Sequence, residues 1–139
     1  MKKRGKGKEK RPEKVTNAVN LLWIGIGLGV INVFLTLINS INTMEDSSLI
    51  TYFILQSLFT IAILSFLIYM IGKGRNWARI TFLVLFIAGA LIIIPQLIIL
   101  LMTNTFIGIL TLIHSILQLI ALVLLFEKTS SDWFKSKKK

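Results

Sequence analysis

Cysteine is absent from this chain of 139 residues, and proline occurs only at Pro12 and Pro95. Without cysteine there are no disulfides, thiolate metal sites, lipidated cysteines or cysteine nucleophiles. Acidic residues are nearly as scarce, six in all, and between Lys14 and Phe126 only Glu45 and Asp46 carry a carboxylate. His114 is the single histidine. Acid/base pairs, histidine-based metal sites and Ser/His/Asp sets at usable spacing are therefore missing, so neither an enzyme nor a resident cofactor or metal is expected.

What remains is apolar. Hydrophobic residues make up 55% of the chain and charged residues 16%, against about a quarter charged in ordinary soluble domains; mean hydropathy is +0.79. Four apolar stretches stand out: Val15–Ile38, Leu49–Ile71, Trp77–Met102 and Phe106–Phe126, of 24, 23, 26 and 21 residues. Each reaches the roughly 20 residues that cross about 30 Å of hydrocarbon as a helix. Val15–Ile38 is far longer than the apolar run of about 7–15 residues in a signal peptide, and reads as a retained span.

Charge orients these spans. Eight Lys and Arg residues precede the first, three (Lys73, Arg75, Arg79) separate the second from the third, and five follow the fourth. The Asn39–Ser48 and Thr103–Thr105 connections contain none. Basic residues beside spans stay on the cytoplasmic side. The expected fold is an all-α membrane protein, an antiparallel four-helix transmembrane bundle with both termini cytoplasmic. Residues 1–14 form a disordered basic cytoplasmic tail, 15–126 the membrane domain and 127–139 a basic interfacial tail. The expected partners are the lipid bilayer and its anionic headgroups, which attract such basic clusters. The tail lacks the aromatics that stack on bases, so nucleic acid is not expected.

Short signals refine the connections. Asp46 or Ser47 can cap the second helix. Gly72 and Gly74 can end that helix and reverse the chain, and Asn76 can cap the third. Neither Gly-Lys-Gly run is a phosphate-binding loop, since the GxxxxGK[ST] spacing is missing. Trp77, Trp133 and Phe134 suit the headgroup layer as interfacial anchors, with a short turn over Ser130–Phe134. Lys73, Arg75 and Arg79 form a basic cytoplasmic face.

The GRNWAR segment (Gly74–Arg79) and the Ser-x-x-Trp-Phe ending (Ser130–Phe134) resemble those of small uncharacterised bacterial four-span integral membrane proteins. The resemblance spans most of residues 20–134, with specific identities at about eleven positions. It implies the four-span topology and a bacterial cytoplasmic (cell) membrane, multi-pass, and it implies no activity.

Inside the spans, Ala18, Leu22, Gly25, Gly29, Asn32, Thr36 and Asn39 recur at 4- and 3-residue steps, and so share one helical face. Gly25 and Gly29 make a GxxxG packing seam, facing either a neighbouring span or a second copy. Thr111, His114, Gln118 and Ala121 form a similar stripe in the fourth span. Gly89 and Gln96 lie seven apart in the third, and Gln56, Ser57 and Thr60 mark the second. With both termini inside, Asn32, Gln56, Gln96 and His114 all fall roughly 9–12 Å below the outer boundary at 1.5 Å per residue. They are expected to converge in a hydrogen-bonded layer, with Pro95 freeing the Leu91 carbonyl nearby.

Two functions follow from different classes. One is a protein acting by association, as an accessory, regulatory or lipid-interacting membrane subunit, with a homo-oligomer or another membrane protein as partner. The alternative is a small-solute or proton-linked transporter or channel using the polar layer. The four-span small multidrug transporters couple through a glutamate in the first span, and Val15–Ile38 has no acid. Sensitivity to Gly25→Leu or Gly29→Leu, but not to His114→Ala, points to association.

Overall fold

The computed structural model describes residues 10–43 and 47–137. Among them are five helices and no strand: α1 (Glu13–Thr43), α2 (Ser47–Gly72), α3 (Asn76–Thr103), α4 (Thr105–Phe126) and α5 (Lys128–Ser136). The first four are each long and apolar enough to cross a membrane. They enclose the four stretches expected from hydropathy and overrun them at several ends. The largest extension is in α1, whose 31 residues make a rod of about 46 Å.

The connections follow from a few polar and glycine positions. α1 starts after Pro12, whose carbonyl accepts from the Thr16 amide at 3.1 Å; proline tolerates a helix start because its missing amide would be unused there. α2 ends in a Schellman turn, in which Arg75 N–H donates to the Met70 carbonyl (3.1 Å) and Gly74 N–H to that of Ile71 (2.9 Å). Gly74 takes φ +80°, so the glycine reversal stands where it was expected. Asn76 does not cap α3. Arg75 occupies the cap position without a side-chain bond, because the Schellman turn already delivers the chain into the helix. α3 and α4 are separated by Asn104 alone, whose amide donates to Leu100 O (2.8 Å) and whose side chain accepts from Ile107 N (3.3 Å). Glu127 joins α4 to α5. Residues 44–46 and the Ser47 side chain, where a cap for α2 was expected, lie outside the described residues, as do residues 1–9 of the basic tail.

α1 packs on α2 and, most extensively, on α4, while α3 packs on α2 and α4. The buried core is not central. It draws on Val15, Ala18 and Leu22 of α1, Leu67, Ile68 and Ile71 of α2, Ala78 and Phe82 of α3, Leu122 and Leu125 of α4, and Trp133 and Phe134 of α5. All lie near the ends of their helices that adjoin the N-terminal segment, the α2–α3 turn and α5. That end is the basic one. Away from it α2 and α3 bury almost nothing, and their Ile, Leu and Phe side chains cover the outside of the molecule.

Candidate functional site

The α1–α4 seam is where polar chemistry enters the long helices. The α1 stripe is buried at Ala18, Leu22 and Gly25, half-buried at Gly29, Asn32 and Thr36, and exposed at Asn39. It faces the α4 stripe. Asn32 Nδ2 donates to Thr111 Oγ1 at 2.7 Å, Thr111 Oγ1 donates to the Ile107 carbonyl at 2.9 Å, and Thr36 Oγ1 donates to Asn32 Oδ1 at 3.3 Å. One such interhelical bond contributes roughly 0.6–2 kcal/mol in a membrane, enough to fix the register of two helices.

One turn further along α4, the His114 imidazole lies over the GxxxG step of α1. A Cβ built on Gly25 would stand 3.5 Å from His114 Cδ2, and one on Gly29 only 3.3 Å from Cε1. The two glycines therefore provide the floor on which the ring rests, and a larger residue at Gly29 would displace it. His114 Nε2 is 2.9 Å from Gln118 Nε2 on the next turn. A glutamine amide can donate to or accept from a ring nitrogen, so this partner suits either imidazole tautomer. The seam and the histidine, two separate features in the sequence, are one contact. Gly25→Leu and His114→Ala thus perturb the same place, and their separate effects do not distinguish association from transport.

The expected four-residue layer divides. Asn32 and His114 belong to the α1–α4 seam, but Gln56 and Gln96 are exposed on the outside of α2 and α3. Equal depth does not make them converge, because α2 and α3 are apolar nearly all round and their rotation is set by the core at the basic end. The Ser57 and Thr60 hydroxyls donate to carbonyls four residues back, at 2.7 and 2.9 Å. Pro95 and Leu91 lie on the same exposed stretch.

The basic end holds a second constellation. Arg79 is 7% exposed, so it is not on a basic face with Lys73 and Arg75, which are exposed. Its Nη1 donates to the Leu125 carbonyl (3.0 Å) and to Ser131 Oγ (3.2 Å). The guanidinium also lies 4.6 Å from the Phe134 ring centroid and 4.9 Å from that of Phe126. Among the described residues it has no carboxylate partner. Flat, weakly hydrated and rich in donors, a guanidinium accepts such a setting far better than an ammonium does.

Trp133 and Phe134 are also not surface anchors: they are 7% and 0% exposed. The cause is α5, which folds back over the bundle end instead of making a short turn. The Trp133 indole closes on Gly74, where an added Cβ would come within 2.9 Å of its Cη2. Ser130 Oγ donates to Leu124 O at 2.6 Å, and Lys14 pairs with Glu127. Of the three expected anchors Trp77 stays at the surface, beside Phe66 at 6.2 Å between centroids. Arg11 reaches from the N-terminal segment to Gly72 and donates to Val15 O; burial lowers its pKa from the ordinary value. The i, i+3, i+4 spacing of Ser130, Trp133 and Phe134 on the nine-residue α5 was the available hint to this packing, since it places one buried face on a short helix.

Chemically, the two constellations bind helices to one another, and among the described residues no three His, Asp or Glu side chains gather. Comparisons with protein-family models, with curated proteins and with solved structures find no match for this chain.

Proposed function

We propose that this chain is a four-span protein of a bacterial cytoplasmic membrane, an antiparallel up-down-up-down bundle with both termini cytoplasmic. It acts by association, as an accessory, regulatory or lipid-interacting subunit. The carrying observation is the use made of inward polar side chains: Asn32, Thr111 and His114 are engaged between helices. A solute pathway needs polar groups left open to the solute, along its length. The exposed Lys73 and Arg75, beside the basic tails, suit anionic headgroups, each basic residue near such a surface contributing about 1 kcal/mol.

The test uses the full chain in nanodiscs of mixed phosphatidylglycerol and phosphatidylethanolamine. Native mass spectrometry is expected to find phosphatidylglycerol retained preferentially, and less of it on Lys73→Gln/Arg75→Gln. Parallel vesicles with an imposed proton gradient are expected to show no flux attributable to the chain. Gradient-driven solute uptake abolished by His114→Gln, which keeps the side chain's bulk and hydrogen bonding, would replace association with transport.

A further inference from the structure

Two amides are left over on the outside of α2 and α3. Gln56 and Gln96 are exposed, and among the described residues neither side chain has a hydrogen-bond partner. Their neighbours Ser57 and Thr60 satisfy themselves on their own helix, and Gln118 has His114. In hydrocarbon an amide with no partner is costly, and lipid tails offer none. Gly89 lies two turns before Gln96 on the same face of α3. A Cβ added there meets nothing within 4 Å, so packing within the chain does not call for glycine, as it does at Gly29. Gly27 of α1 is equally open, but the exposed amides that precede it on that helix, Asn17 and Asn20, lie at the basic end beside Ala18 and Leu22, where headgroups and water are in reach.

Resting on the membrane placement and association proposed above, we infer that the outer halves of α2 and α3 form the contact for a second copy of this chain. The Gln56 and Gln96 amides of one protomer bond those of its partner, and Gly89 admits the partner helix. An amide carries both donors and an acceptor, so it can pair with itself across a two-fold axis. An axis along the membrane normal keeps every residue at its own depth. Gln56 and Gln96 share a depth, and therefore meet the partner's amides at one level. Bulky side chains surround them, including Tyr52 at 67% and Ile92 at 63% exposure. α2 and α3 are free to contribute this face because they bury side chains only at the basic end.

The absence of native cysteine makes single-cysteine reporters clean. The full chain, labelled through Lys135→Cys, is reconstituted in vesicles and energy transfer between copies is followed on dilution with lipid. A dimer is expected, weakened about threefold to thirtyfold by each of Gln56→Leu and Gln96→Leu. Gly89→Leu is expected to weaken it as well while leaving thermal unfolding of the monomer unchanged. Oxidation is expected to crosslink Ile92→Cys on α3 but not the equally exposed Phe34→Cys on α1. Unchanged dissociation in both leucine variants, or preferential crosslinking through Phe34→Cys, overturns the inference. A wild-type monomer at every density that still retains phosphatidylglycerol overturns the dimer and leaves association standing. A monomer that retains none and carries solute overturns both.

Discussion

Arg79 carries a full positive charge within the first turn of a helix that is otherwise apolar. Near a membrane boundary, an arginine in sequence reads as a side chain extended to water. Here, instead, two acceptors and two aromatic faces surround it. Arg79→Ala removes all four contacts and leaves a cavity. A loss of about 2–4 kcal/mol is expected, measured by denaturant unfolding in micelles. Arg79→Lys should recover less than half of it, because an ammonium cannot stack between rings; full recovery would mean that charge alone matters. His114 is the other residue-scale case. Gly29→Leu overpacks the seam by about 1–3 kcal/mol, and His114→Ala empties the space the leucine needs. The Gly29→Leu penalty should therefore fall by more than half in the His114→Ala background. An unchanged penalty would show that the ring and the glycine do not touch.

At the scale of elements, α5 depends on the α2–α3 turn. Gly74 needs both a positive φ and the space taken by the Trp133 ring. Gly74→Ala is expected to destabilise the bundle end by about 1–3 kcal/mol. It should also lift α5 away, red-shifting Trp133 emission in a Trp23→Phe/Trp77→Phe background; an unshifted spectrum would place the indole elsewhere. The four long helices were legible because length and hydropathy alone decide them, and the glycine turn because few residues permit it. The α1 face was legible from its small and polar stripe, which fixes a rotation. α2 and α3 have no such contrast, so Gln56 and Gln96 could be given a depth but no direction. α5 escaped for a related reason: a short amphipathic segment shows that it has an apolar face, but not whether lipid or the bundle covers it.

Across the whole molecule, three segments far apart in sequence meet at one end. Arg11 lies against Gly72, Gly74 against Trp133, and Lys14 pairs with Glu127. The single-residue α3–α4 connection at Asn104 belongs to a different end, since α3 and α4 are each long enough to cross a bilayer. The described parts of the basic flanks thus gather at one end, which the orientation proposed above, drawn from the positive-inside rule, makes cytoplasmic. Single cysteines test this. Thr105→Cys, exposed at the start of α4, should react with a membrane-impermeant maleimide in intact cells. Arg75→Cys and Lys128→Cys, both exposed at the basic end, should react only after permeabilisation. The contacts among the three basic segments bind them to one side, so Arg75→Cys and Lys128→Cys must always label together. Labelling of both in intact cells would invert the orientation and leave the bundle as described. Labelling of one without the other would break the packing of α5 on the α2–α3 turn, and with it the account of Arg79.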